Sequence, residues 1–226
     1  MIPRILHQTW KDVAVPGKFR SFSDSWKTLH PGWEYRLWTD TMNRTFMETH
    51  FPGPLSLYDA YPHPIQRVDM VRYFILRHMG GLFVDLDFEC LRPVEPLLEG
   101  CGFVAGQEPP EHAFLHGKDR IISNAFMACE SGHPFAIELC DALEVAARNT
   151  SRGFKEVLES TGPFMMTHTY KQSMFRDEVR ILPFETLYPL AKDPVTGKLT
   201  GAARGNAAFQ EAYAIHHYWG SWWQPA

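Results

Sequence analysis

No apolar run in this sequence reaches the roughly 18 to 20 residues that a bilayer-spanning helix requires, because Arg, Asp, Glu or Lys interrupts each one. The opening stretch, MIPRILHQTWKD, lacks the charged, apolar and small-residue order of a secretory signal. The expected location is therefore the cytoplasm or the inner face of a membrane, with peripheral contact and no transmembrane segment. A surplus of basic charge is also lacking: 22 Lys and Arg stand against 26 Asp and Glu, for a net charge of −4. That removes the electrostatic footprint of a duplex-binding protein, so no nucleic acid is expected among its partners. Cysteine is sparse, and Cys90, Cys101, Cys129 and Cys140 form no CxxC pair. Each sits among apolar neighbours, which reads as reduced core thiols rather than a zinc site, with an extracellular disulfide framework as the disfavoured alternative. Repeats, low-complexity tracts and linkers are missing too, and one domain over residues 1–226 is the economical reading.

What is present is a globular composition, 45% hydrophobic and 14% aromatic over 226 residues, enough to bury a core without staples. Residues Ile2 to Trp10 read as a first strand ending in His7, Gln8, Thr9 and Trp10. Phe19, Phe22, Trp26 and Leu29 have helical spacing, and His30-Pro31-Gly32 stops that helix. Glu34 to Trp38 alternates as a second strand. A helix from Pro64 to Met79 has Pro at its first position and Gly80-Gly81 at its end. The strand Leu82-Phe83-Val84 follows, with Asp85-Leu86-Asp87 expected to finish it. Further strands are expected at Gly102 to Ala105, Ile121 to Cys129, Val179 to Leu182 and Tyr213 to His217, and helices at Pro134 to Arg148 and Pro163 to Phe175. The alternation implies an α/β fold around a mostly parallel sheet.

Three constellations could carry chemistry. On the helix from Pro64, Ile65, Val68, Val71, Ile75, Leu76 and Met79 form one apolar arc, yet Asp69 and Arg72 fall inside it. They are three residues apart and can touch. Charges on an apolar face are costly unless paired, so they read either as a buried structural ion pair or as groups facing a polar pocket. In an extended segment, Asp85 and Asp87 would project their carboxylates to one face, with Leu86 pointing into the core. Hard cations such as Mn²⁺ or Mg²⁺ take such oxygens and complete their shell with phosphates and water. In the tail Ile215-His216-His217-Tyr218-Trp219-Gly220-Ser221-Trp222-Trp223, alternation sends the two imidazoles to opposite faces, so at most one serves a shared site.

The string from Ile2 to Trp10, Ser25-Trp26, His30-Pro31-Gly32-Trp33-Glu34-Tyr35, Trp38-Thr39-Asp40 and RVDMVRYFILRHMGGLFVDLD (Arg67 to Asp87) resembles glycosyltransferases of family 32, which carry a DXD sugar-binding region. Ser123-Asn124-Ala125, Gly132-His133-Pro134 and Thr161-Gly162-Pro163 extend the resemblance. It implies a single GT-A domain with a Rossmann-like nucleotide-binding core and added helices. Residues 1–105 would form the nucleotide-sugar half, and residues 106–226 the acceptor half with a capping tail. The implied activity is metal-dependent, retaining transfer of a hexose from UDP-hexose or GDP-mannose to a hydroxyl of a glycan or glycolipid. By position, Trp10 would stack on the base beside Thr9, and Asp69 and Arg72 would contact sugar, ribose or phosphate. Asp85 would contact ribose and metal, and Asp87 would ligate the Mn²⁺ or Mg²⁺ directly. Asn124 would touch the donor sugar, and Ser221 and Trp222 would cap the diphosphate. His217-Tyr218-Trp219-Gly220 is similar to a His-Phe-x-Gly element whose His ligates the metal, which favours His217 over His216.

The resemblance further implies attack from the face of the departing diphosphate, which helps deprotonate the acceptor. Two other readings remain at this level. A haloacid-dehalogenase-like phosphatase also has an apolar strand followed by D-x-D, although Glu89 stands where that motif has Thr or Val. A non-catalytic sugar-nucleotide-binding module would bind donor without turnover.

Overall fold

The computed structural model describes residues 1–148, 154–193, 196–201 and 207–220. The chain begins with β1 (Ile5–Thr9), α1 (Gly17–Leu29), β2 (Glu34–Trp38), α2 (Asp40–His50), α3 (Leu55–Ala60), α4 (Pro64–Met79) and β3 (Gly81–Val84). It continues through β4 (Phe88–Cys90), α5 (Glu95–Leu98), β5 (Phe103–Gln107), α6 (Pro110–Leu115), β6 (Ile122–Cys129) and α7 (Pro134–Arg148). After these come α8 (Phe154–Ser160), α9 (Pro163–Gln172), β7 (Val179–Leu182), α10 (Phe184–Leu187) and β8 (Leu190–Lys192). The last elements are β9 (Leu199–Gly201), α11 (Ala207–Glu211) and β10 (Ala214–His216). Among the described residues no helix is long and apolar enough to cross a membrane.

The main sheet runs β2-β1-β3-β6-β5-β7. β1 pairs in parallel with β2 and β3, and β5 with β7, but β6 is antiparallel to both its neighbours. The sheet is therefore mostly parallel, as expected, with β6 as its one reversed strand. This reversal brings the first residues of β6 to the same edge as the carboxyl ends of β1, β3 and β5, the edge where open α/β sheets bind ligands.

Alternation along each strand divides the core in two. Phe83, Phe103, Ala105, Met127 and Cys129 face the layer of α2, α4, α7 and α9. Leu82, Val84, Val104, Phe126 and Ala128 face Trp26 of α1, Val94 at the start of α5, Leu98 of α5, and Tyr188. α4 is enclosed nearly all round, since Gln66 and Tyr73 are buried as fully as the apolar arc. Gln66 donates to Ser160 Oγ at 2.8 Å and Tyr73 to the Thr161 carbonyl at 2.8 Å.

Gly80 and Gly81 join α4 to β3 with positive φ of 65° and 97°. A Cβ on Gly81 would lie 2.6 Å from the Ile5 carbonyl oxygen. Only glycine adopts that backbone and tolerates that approach without strain.

The expected strand end at Asp85-Leu86-Asp87 is corrected. β3 stops at Val84, and the Phe88 N–H donates to the Asp85 carbonyl at 3.1 Å, closing a tight turn into β4. Within that turn Leu86 is buried against Val15 and Phe19. α9 stops at Gln172 rather than Phe175, and one 3₁₀ turn, Arg176–Glu178, leads into β7. Cys90, Cys129 and Cys140 are buried free thiols, and Cys101 is free but partly exposed.

Candidate active site

A cavity of about 770 Å³ opens over the sheet edge where β1, β3 and β5 end and β6 begins. Thr9, Trp10, Asp69, Arg72, Asp85, Asp87 and Asn124 all line it. Four of these seven side chains descend from two local features of the sequence, the charged pair on α4 and the turn after β3. Asn124 arrives through β6, and Trp10 leaves the end of β1.

At the floor, Arg72 bridges two carboxylates. Its NH2 is 3.0 Å from Asp69 Oδ1 and its NH1 is 3.2 Å from Asp85 Oδ1. NH1 also donates to the Asn124 carbonyl at 2.7 Å, and the guanidinium lies 4.8 Å from the Phe83 ring centroid. Asp69 accepts from Asn124 Nδ2 at 3.0 Å and from the Thr161 hydroxyl at 3.1 Å. Burial pushes the Asp69 pKa up to about 7, Arg72 only partly offsetting it and Asp85 adding to it. The two readings of this pair thus coincide: it is a buried ion pair and it floors a polar pocket. Thr161 belongs to the Thr161-Gly162-Pro163 piece of the resemblance, but its contact with Asp69 was not legible in the sequence.

Beside Arg72, the turn after β3 sets Asp85 and Asp87 next to His216, with one ligand atom from each within 4.8 Å of the others. His216 Nε2 donates to Asp87 Oδ1 at 3.1 Å, and the Trp219 N–H donates to Asp87 Oδ2 at 2.9 Å. Burial raises the Asp85 pKa, opposed by Arg72 and reinforced by Asp87. For Asp87, burial also pushes upward, but His216 and the Trp219 N–H outweigh it and the net shift is down. His216 moves up, since Asp87 outweighs its desolvation. Positive charge is favoured beside the two acids, a role that a divalent cation fills more strongly than an imidazole. The donor set of two carboxylates and one imidazole suits Mn²⁺, and His216 Nδ1 is buried without a partner among the described residues. The residues present therefore fit a divalent cation.

His217, favoured by the resemblance, is elsewhere. Its Nε2 lies 2.9 Å from Glu89 Oε2, and its ring stacks on Phe22 at 4.4 Å. The reason is register: β10 pairs antiparallel with β4, aligning His216 with Phe88, and alternation turns the next residue to the other face. Ser221 and Trp222 lie outside the described residues.

The aromatic wall is Trp10, whose ring centroid is 5.3 Å from that of Phe19. Trp219 closes the same side, 6.2 Å from Phe19, with the Lys18 ammonium 4.6 Å from its ring. Tyr218, the one non-glycine residue with positive φ (47°) among those described, bends the tail so that the Trp219 N–H reaches Asp87. Sequence reasoning missed Asp40, Glu108, His112 and Tyr218, all of which line the cavity. An acid three residues past the expected strand Gly102 to Ala105 was the available signal for Glu108.

Residues 16–103 match the family model described as "Glycosyltransferase sugar-binding region containing DXD motif". Inositol phosphoceramide mannosyltransferase 3 of Schizosaccharomyces pombe is 40% identical over 74% of this chain and 44% of its own length. Mannosyl phosphorylinositol ceramide synthase CSH1 of Saccharomyces cerevisiae is 34% identical over 76% of this chain and 43% of its own length. This chain thus spans about half the length of the curated relatives it matches. A solved glycosyltransferase involved in glycosylation of the major capsid of PBCV-1 has a TM-score of 0.52 at 12% identity, covering 95% of this chain and 93% of that one. The fold is GT-A, which removes the structural basis of the phosphatase alternative.

Proposed function

We propose that the chain is a glycosyltransferase of the group that carries the DXD-containing sugar-binding region, to which it is similar, and that it transfers a hexose from a nucleotide sugar to a hydroxyl of a glycolipid, with retention and with a divalent cation. The observation that carries this reading is the grouping of Asp85, Asp87 and His216 in a cavity walled by Trp10 and floored by Arg72. Relatives named as mannosyltransferases acting on inositol phosphoceramide make GDP-mannose the first donor to test and a phosphoinositol lipid the first acceptor. An apolar far end to the cavity, with Leu115, Ile121, Leu158 and Phe164, suits an acceptor that brings an acyl chain.

In this reading residues 1–105 supply most of the donor site, and residues 106–226 the acceptor side together with Asn124 and the tail that caps metal and diphosphate, within one domain. Trp10 stacks on the base, beside Thr9. A cation held by Asp85, Asp87 and His216 would supply Lewis-acid neutralisation of the departing diphosphate. Arg72 holds Asp85 in place and adds fixed positive potential below the phosphates. Asp69 orients Asn124 toward the donor sugar. Asp69 is already engaged by Arg72, Asn124 and Thr161, and Asp85 by Arg72. Neither is free to form a glycosyl ester, which supports attack from the leaving-group face, with the diphosphate oxygen taking the acceptor proton.

The test is a thermal-shift and hydrolysis screen of UDP- and GDP-sugars with and without Mn²⁺, followed by transfer to phosphatidylinositol in detergent micelles. Stabilisation that needs both Mn²⁺ and one nucleotide, then slow release of that nucleotide, is the expected result. A folded protein indifferent to every nucleotide and metal pair would end the transferase reading. Donor binding with no turnover would leave the binding-module reading.

A further inference from the structure

The edge of the sheet has an order, and the proposed donor site occupies only part of it. Trp10 leaves β1, the Asp85 turn leaves β3, Asn124 sits at the start of β6, and Glu108 directly follows β5. With strands about 4.8 Å apart, the end of β5 is roughly 10 Å from the end of β3. That separation leaves room for one hexose ring between a diphosphate over Asp85 and a group over Glu108.

Glu108 is held by a chain of hydrogen bonds that leaves no freedom of tautomer. The Lys192 N–H donates to His112 Nε2 at 3.0 Å, so His112 Nδ1 carries the proton and donates to Glu108 Oε2 at 2.9 Å. The Lys192 ammonium in turn donates to the Tyr218 carbonyl at 2.7 Å, and the His112 and Tyr218 rings meet edge-to-face at 4.9 Å. α6, β8 and the tail are stitched together around one carboxylate that lines the cavity. An independent observation points to a ligand there. The Tyr218 side chain, 7% exposed, lines the same cavity, and its hydroxyl is buried with no partner among the described residues. A buried hydroxyl left unmade costs free energy unless something pairs with it.

We propose that Glu108 and the Tyr218 hydroxyl form the acceptor subsite, binding two neighbouring hydroxyls of a polyol or sugar headgroup, with His112 as the residue that positions Glu108. A carboxylate accepts from acceptor O–H groups, and a phenol both donates and accepts, which matches a vicinal diol. The inference rests on the transferase reading above.

The test separates the two. The full chain is titrated by calorimetry with GDP and UDP in the presence of Mn²⁺, and transfer from the matching sugar nucleotide to phosphatidylinositol micelles and to free myo-inositol is followed. Glu108→Gln should raise the acceptor KM roughly tenfold or more, and Tyr218→Phe several-fold, while nucleotide affinity changes less than twofold. His112→Asn should raise the acceptor KM as well, and the Glu108→Gln/His112→Asn double variant should be no worse than Glu108→Gln alone, because His112 acts through Glu108. Nucleotide affinity that falls in step with the acceptor KM would assign Glu108 to the donor site and overturn the inference. So would an unchanged acceptor KM, or additive losses in the double variant. A wild-type protein that binds nucleotide but transfers to neither probe overturns the polyol subsite and leaves the donor site standing. A wild-type protein that binds no nucleotide fails the transferase reading, and the subsite with it.

Discussion

Arg72 stands between Asp69 and Asp85, 3.0 Å from one carboxylate and 3.2 Å from the other, with its side chain almost wholly buried. It couples the stability of the helix α4 to the geometry of the turn that carries the acidic pair. Removing it leaves two acids in a desolvated floor without their counter-charge. Arg72→Met should cost about 3 to 5 kcal/mol in urea unfolding, the range for breaking a buried pair from one side. A loss below about 1 kcal/mol would mean that the acids are solvated and the bridge is incidental.

The two tail histidines give a sharp contrast. His216→Ala should weaken Mn²⁺-dependent nucleotide binding by roughly tenfold or more, the scale for losing a ligand or its support. His217→Ala, which removes only the contacts to Glu89 and Phe22, should leave that binding within about twofold. Calorimetric titrations with the opposite ranking would return the ligand role to His217.

Trp10 offers a flat aromatic face at the mouth of the cavity. Base stacking on such a ring is worth about 1 to 3 kcal/mol, so Trp10→Ala should raise the nucleotide Kd by about tenfold or more and Trp10→Phe by less. An unchanged Kd in the alanine variant would remove the stacking role.

His7 supplies a pH dependence with a defined sign. Its ring is buried, accepts from Trp38 Nε1 at 3.1 Å and donates to the Gly80 carbonyl at 2.9 Å. Burial lowers its pKa from 6.5 to about 4, the Gly80 contact only partly opposing it. Between these values the unfolded chain binds the proton and the folded chain does not, so stability falls as pH drops from 6.5 towards 4. The full effect is about 3 kcal/mol. Denaturant unfolding of His7→Gln across this window should show a flatter curve than wild type, and an equal slope would place the titration elsewhere.

Gly81→Ala sets a methyl group 2.6 Å from the Ile5 carbonyl at a φ of 97°. Its destabilisation should exceed about 2 kcal/mol, more than a relaxed glycine-to-alanine change elsewhere. A thermal midpoint within about two degrees of wild type would mean that the junction of α4 and β3 relaxes freely.

Much of the scaffold was legible in the residues. α1, β2, α4 and α7 begin and end where the spacing and the Pro and Gly signals put them, because capping and apolar periodicity are local. Asp69 and Arg72 stood out because charges inside an apolar arc demand partners. α2 escaped notice although Thr39 caps it, accepting from the Met42 N–H at 3.2 Å. Its apolar face is short, and packing against α4 rather than pattern secures it.

By itself, then, the sequence determined the α/β order, the charged pair on α4, the glycine junction and the presence of an acidic pair after β3, since each follows from residues within one or two turns of each other. The tertiary structure alone decided the rest. That Asp85 and Asp87 share a turn and not a strand depends on where β4 leaves to meet β10. That His216 and not His217 joins them depends on the register of a pair whose partners lie 128 positions apart. That Asn124 and Glu108 reach the same cavity depends on β6 running antiparallel. Such choices are made by the summed packing of distant segments, and a one-residue slip, which no local pattern forbids, would turn every one of these side chains to the opposite face.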